Sequence, residues 1–245
     1  MRVLVVYAHY NPGSFTNALL EEVTKGLRDG GHDVRVNDLQ ASGFDPVFKL
    51  DDSVQFIHPT VPEDLLGEAD LREIVLEAAT GPIRRWMASR WLRGKGRGEL
   101  IEEIGKRKPK DVIEQQALVA DAEGLVFVAP VFWMGLPAVI KGWIERVFTY
   151  GFAYTLTPEG WRGDLSGRVP LLTQEKGLIV TPTFFTEEEY DRGWREAMDT
   201  VLCDWSLKMA GVKEAHHVYF YTALSVSDEK RQEYLREAYR LGRDF

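Results

Sequence analysis

Five short apolar runs punctuate the chain, at residues 3–7, 34–36, 125–129, 178–180 and 218–221. The first and third are unbroken and rich in valine, the pattern of strands covered on both faces. Between the runs, apolar positions recur at the helical period. Residues 16–27 form the first such stretch and stop against Asp29-Gly30-Gly31. Residues 111–122 lead into the third run. Residues 137–148 open with Pro137, whose missing N–H costs nothing in a first turn. Residues 187–209 set Tyr190, Trp194, Met198, Val201, Trp205 and Met209 at helical spacing, which predicts one long helix. Residues 228–241 close the chain. Strands alternating with helices predict an α/β protein with a parallel sheet and right-handed crossovers. Five strands fit the doubly wound order 2-1-3-4-5, a three-layer sandwich.

One stretch breaks the alternation. Residues 60–110 contain no strand pattern. Residues 65–79 look helical, and Gly81-Pro82 interrupts them. Residues 83–92 hold Trp86, Met87, Trp91 and Leu92 among Arg84, Arg85, Arg90 and Arg93, and Gly94-Lys95-Gly96-Arg97-Gly98 follows as a flexible basic turn. Without long apolar faces of its own, this segment reads as a helical insertion within a single domain spanning 1–245. Its clustered Trp and Met side chains predict an interface, either a dimer contact or a lid over the site. The arginines suit a solvated helical face or, less simply, the 2′-phosphate of a dinucleotide.

Charge and composition narrow the function classes. A net charge of −8 argues against a nucleic-acid surface. The lone Cys203 excludes an internal disulfide and fits a reducing, cytoplasmic setting. No apolar run approaches the length of a membrane span, and the N-terminus reads as a strand rather than a signal peptide. No metal site is expected: His216 and His217 are adjacent on a strand and point to opposite faces. Cys203 reads as a buried helix residue, and Glu187-Glu188-Glu189 as a helix first turn favourable to the dipole.

Two loops carry candidate chemistry, because ligands of such sheets sit beyond the carboxyl ends of the central strands. After the first strand come His9-Tyr10-Asn11-Pro12-Gly13-Ser14-Phe15-Thr16 and then a helix. A helix N-terminus offers free N–H groups and partial positive charge, and the Ser14 and Thr16 hydroxyls add donors suited to a phosphate. Either residue could equally serve as a plain helix cap. After the third strand come Pro130-Val131-Phe132-Trp133-Met134-Gly135-Leu136-Pro137. So apolar a loop suits a wall against a flat ring system.

This second segment is where the chain resembles a known family. Pro130, Trp133, Pro137, Ala138, Lys141, Gly142, Trp143, Glu145, Arg146, Val147 and Phe148, then Gly151, Ala153 and Tyr154, are similar to the signature of the flavodoxin-like NAD(P)H:quinone oxidoreductases. His9 with Ser14-Phe15, and Asp38-Leu39 with Phe44-Asp45-Pro46-Val47, resemble further segments of that family. The resemblance covers residues 1–48 and 111–155 well and the last ninety in outline. It implies a flavodoxin-like fold and a flavin, FAD in preference to FMN. NAD(P)H would be the co-substrate and a quinone or similar electrophile the acceptor. The two would alternate at flavin N5 by ping-pong hydride transfer in a homodimer. His9, Ser14, Phe15 and Thr16 would meet the flavin phosphates. Pro130, Val131, Phe132, Trp133 and Met134 would line the isoalloxazine. Tyr154 would sit in the substrate pocket. Among relatives, ancillary subunits of ion-transport proteins and flavodoxin-like electron carriers are the rival functions.

Two departures stand out. Where the family has two glycines after the fourth strand, this chain has Thr181-Pro182-Thr183-Phe184-Phe185; only Thr181 matches, and Pro182 has no N–H to offer. Tyr190 corresponds to a family tyrosine near flavin N1 and O2, but the histidine that should follow is replaced by Gly193-Trp194.

Overall fold

A computed structural model of the chain describes residues 1–49, 52, 61–62, 64, 71–105 and 109–245. The first βαβ unit is β1 (Arg2–Tyr7), α1 (Phe15–Asp29) and β2 (Asp33–Asp38). Three insertion helices follow: α2 (Leu71–Ala78), α3 (Pro82–Trp91) and α4 (Arg97–Gly105). Next come α5 (Lys110–Asp121), β3 (Gly124–Val128) and α6 (Ala138–Val147). A small antiparallel hairpin, β4 (Tyr154–Leu156) and β5 (Arg168–Pro170), encloses the short α7 (Pro158–Trp161). The chain returns through β6 (Lys176–Pro182), α8 (Glu187–Tyr190), α9 (Trp194–Asp199), β7 (Glu214–Phe220) and α10 (Asp228–Arg243).

The main sheet runs β2-β1-β3-β6-β7, every pair parallel. This is the expected five-strand order, with the β4–β5 hairpin interposed in the numbering. Its centre is buried on both sides, and the period-two alternation of β1 and β3 divides the core. Val3, Val5, Val126 and Val128 face α1 and α10. Leu4, Val6, Leu125 and Phe127 face α5, α6 and the segment after α9.

Helices α1 and α10 touch through glycine. A Cβ on Gly26 would stand 2.0 Å from the Tyr239 carbonyl oxygen, and one on Gly242 2.2 Å from that of Val23. Gly26→Ala must push the two helices apart, and an overpacking loss of about 1–3 kcal/mol is expected. Chemical denaturation checks it.

The single helix expected over 187–209 does not form. It ends after Tyr190, turns at Gly193 with φ 108°, resumes as α9 and widens into a π-helix over Thr200–Lys208. The wider turn shifts the buried face, since a π-helix bonds i to i+5. Leu202, Cys203 and Leu207 are buried, whereas Val201 and Trp205 of the apolar repeat are exposed.

The insertion is helical as expected, but it does carry apolar faces. Leu71, Val75, Leu92, Leu100, Ile101 and Ile104 are buried in a cluster distinct from the two sheet faces. Of the helix expected over 65–79, residues 71–78 are observed and residues 65–70 lie outside the described residues. The four residues expected to form one exposed cluster divide: Trp86 and Met87 are exposed, Trp91 is half-buried and Leu92 is buried.

Candidate functional site

A cleft of about 760 Å³ opens beyond the carboxyl ends of β1, β3 and β6. Both loops singled out in the sequence line it. In the first, Asn11 Oδ1 accepts from the Gly13 N–H at 2.9 Å, and the Ser14 N–H donates to the Asn11 carbonyl at 3.1 Å. These bonds set the entry to α1. Ser14 is its N-cap, its Oγ accepting from the Asn17 N–H at 3.2 Å. The first-turn amides of Phe15 and Thr16 have no acceptor within the helix and are left for a ligand. His9 Nδ1 lies 3.0 Å from the Asn11 N–H and 3.1 Å from the Asn11 carbonyl oxygen, so the Asn11 backbone fixes the ring. His9 stacks on Tyr10 at 4.7 Å and approaches Phe132 of the second loop at 6.4 Å. Ser14 thus caps α1 and lines the cleft at once.

The second wall is Pro130, Val131 and Phe132. Beyond it the backbone reverses in a two-residue turn. The Phe132 N–H donates to the Gly135 carbonyl at 2.9 Å, and the Gly135 N–H returns the bond at 3.2 Å. The residues between, Trp133 and Met134, have φ of 46° and 63°. Such a turn favours Asn-Gly, because positive φ crowds a Cβ. Two bulky apolar residues are held there instead, with Trp133 fully exposed. Local strain of this kind collects at ligand-binding sites. Replacing Trp133→Asn together with Met134→Gly is expected to stabilise the ligand-free protein by about 1–2 kcal/mol. The same change should weaken binding of the flavin that the resemblance implies by about 1–3 kcal/mol through lost apolar contact. Thermal unfolding and flavin titration read the two effects separately.

The other expected site residues lie apart from the cleft. Thr181 is fully buried at the end of β6, its Oγ1 2.8 Å from His217 Nε2. Tyr190 is buried in an aromatic group with Trp194, Tyr219 and Tyr221, and burial raises its phenol pKa. Tyr154 stands on β4 under the Arg168 guanidinium, 3.7 Å from its ring centre. Burial raises its pKa and Arg168 opposes that rise, so the phenol stays protonated at neutral pH.

A polar chain runs beneath this region. Asp199 Oδ1 accepts from the Tyr219 hydroxyl at 2.6 Å and lies 3.2 Å from His217 Nδ1. Burial lowers the His217 pKa against the pull of Asp199, and burial with the Asp199 carboxylate raises that of Tyr219. His217 is turned inward while its neighbour His216 is exposed, on opposite faces as expected. Cys203 is buried and its thiol is pushed up to about 11, which leaves no thiolate near neutrality.

Sequence reasoning missed Arg231. It stands in the first turn of α10, anchored by the Leu224 carbonyl at 2.9 Å and more loosely by that of Ala223 at 3.4 Å. It lines the cleft. The available signal was the Ser227 cap, which marks another helix N-terminus. Among the described residues, no acidic side chain lines the cleft, in a chain with a net charge of −8. The arrangement can hold an anionic group between the α1 amides and Arg231, with a flat ring against residues 130–132.

The family whose description is "Flavodoxin-like fold" matches residues 1–241. An NAD(P)H dehydrogenase [quinone] 1 of Cavia porcellus is 29% identical over 176 residues, covering 72% of this chain and 53% of that protein. A ribosyldihydronicotinamide dehydrogenase-like protein of Penicillium crustosum is 30% identical over 205 residues, covering 82% of this chain and 65% of that one. This chain thus spans between half and two-thirds of the length of these curated relatives. Among solved structures, an NAD(P)H:quinone oxidoreductase from Methanothermobacter marburgensis aligns with a TM-score of 0.68 and 27% identity. That alignment covers 100% of this chain and 95% of the other.

Proposed function

We propose that this chain, which belongs to the flavodoxin-like family, is a flavin-dependent NAD(P)H oxidoreductase acting on quinones or related electrophiles. One observation carries the reading: the cleft has no acidic residue among those described, joins a helix N-terminus to Arg231, and is walled by Pro130, Val131 and Phe132. Those are the parts an anionic, flat-ringed cofactor requires. The names of the relatives, quinone oxidoreductases and dehydrogenases, agree with it.

In this reading the amides of Phe15 and Thr16, with Ser14, Thr16, His9 and Arg231, hold the phosphates of FAD. Residues 130–134 lie along the ring. A bound flavin supplies hydride acceptance at N5, alternating between nicotinamide and acceptor in ping-pong order. The protein supplies position. The rigid β3 exit would hold Pro130, Val131 and Phe132 against a bound ring, and the apolar Phe132–Met134 turn would help exclude water there. Tyr154, held neutral by burial beside Arg168, lies apart from the cleft, and its place at the acceptor is proposed from the family resemblance alone. The inward placement of Tyr190 and Thr181 gives them a supporting role beneath the site. A homodimer completes the pocket. The exposed Phe132, Trp133 and Phe184 supply the apolar rim for that contact.

Absorption of the purified protein, with chromatography of the released cofactor, tests this reading. FAD at near-stoichiometric occupancy is expected, along with steady-state NAD(P)H oxidation that requires a quinone. Protein that neither retains nor takes up a flavin overturns it. Flavin without NAD(P)H oxidation would mark an electron carrier instead.

A further inference from the structure

Among the described helices of eight residues or more, α3 alone buries none of its side chains. It is held from one side only, where Ala88 and Trp91 pack on the insertion core. Its free side presents Ile83, Trp86 and Met87, which are 73%, 61% and 58% exposed. Their i, i+3, i+4 spacing gathers them into one stripe. Around the stripe stand Arg84, Arg85 and Arg90, then Arg93, Lys95 and Arg97, with no acidic residue from 82 to 98. Among the described residues, Arg84, Arg85, Arg90 and Arg93 form no ion pair; the Arg90 guanidinium lies 5.9 Å over the Trp86 ring. Lys95 pairs with Glu99 at 3.9 Å, but a chain with net charge −8 still sets four arginines without an ion pair among the described residues around an exposed apolar stripe.

We propose that α3 docks on the surface of an anionic phospholipid bilayer. A helix with a basic rim and a Trp-containing apolar face lies in the plane of the lipid headgroups. Ile83, Trp86 and Met87 enter the headgroup boundary, and the arginines meet lipid phosphates while their stems cover apolar surface. The charge favours this occupant over two others. A second copy docking α3 against α3 would bring both sets of unpaired arginines together, and like charges oppose that contact. A nucleic acid would satisfy the arginines but leave Ile83 and Met87 in water. No described helix is long and apolar enough to cross the membrane, so docking is peripheral. The inference goes beyond the oxidoreductase reading and stands without it.

The test is cosedimentation of the full chain with sucrose-loaded vesicles. One set is phosphatidylcholine alone, the other carries roughly one-third phosphatidylglycerol. Binding is expected only to the anionic set, falling as salt screens the contact, with a blue shift of tryptophan emission. Arg84→Ser with Arg85→Ser should weaken it at least tenfold, since each cation near the surface contributes roughly fivefold. Trp86→Phe should retain binding but lose most of the blue shift. These side chains are exposed, and unchanged thermal unfolding confirms that the variants fold. The proposal is overturned by equal binding to both vesicle sets, by binding to neither, or by undiminished binding of the double arginine variant. Self-association through α3, broken by Met87→Ser and replacing vesicle binding, overturns it too.

Discussion

Replacing Arg146 by alanine is expected to lower stability by about 3–5 kcal/mol, the cost of leaving a buried charge without its partner. Arg146 lies on α6 with its side chain 1% exposed. Its Nε donates to Asp52 Oδ2 at 2.9 Å, and Asp52 is itself fully buried. Its Nη1 donates to the Asp45 carbonyl at 2.7 Å and to Asp111 Oδ2 at 2.6 Å. One guanidinium thus fastens α6 to α5 and to the segment after β2. Asp111 is partly solvated, so water replaces some of what it loses. Asp52, fully buried, has no such recourse and loses its ionic partner. For a chain of this size the loss corresponds to a melting temperature lower by roughly 6–20 °C. Arg146→Lys should recover part of the loss, because an ammonium keeps the charge but not the fork that reaches three partners. If alanine proves nearly neutral, the buried pair does not hold α6 in place.

Ser14→Glu is expected to cost at least roughly a hundredfold in flavin affinity while the sheet remains folded. The substitution places a carboxylate where the first turn of α1 is free to receive an anion. Two unit charges 4 Å apart near a protein surface repel by about 4 kcal/mol before further solvent screening, and each 1.4 kcal/mol is a factor of ten. Loss of the cap to Asn17 adds a smaller penalty, about 1 kcal/mol, on the helix itself. Ser14→Ala separates the terms, since it removes the cap without adding charge. Flavin titration of the two variants should differ by most of the effect, and equal affinities would remove the phosphate from this helix end.

The sheet was legible because β1 and β3 are buried on both faces and keep unbroken apolar runs. The cleft loops were legible because parallel topology brings the β1 and β3 exit loops to one end of the sheet. Gly142 of the motif has a plain structural reason: a Cβ there would stand 2.1 Å from the Pro46 carbonyl oxygen. The features that escaped depend on tertiary packing. Nothing local to Val201 and Trp205 says that a π-helix will turn them outward. Trp133-Met134 is a poor pair for a turn with positive φ, so propensity pointed away from the geometry that forms. The insertion core is assembled from a few apolar positions on each of several short segments, too few on any one to signal burial. Arg231 reaches the cleft only when α10 packs against α1, about two hundred residues away in sequence.

The most direct measurement is an anaerobic titration of the flavin-loaded protein with NAD(P)H, and then with a quinone. The account predicts that the flavin absorbance bleaches on addition of the nicotinamide and returns in full when the quinone is added without further protein. Bleaching should proceed in the absence of the quinone, as a ping-pong order requires. A bound flavin that NAD(P)H leaves oxidised, or one that bleaches and is not reoxidised by any quinone, would contradict it.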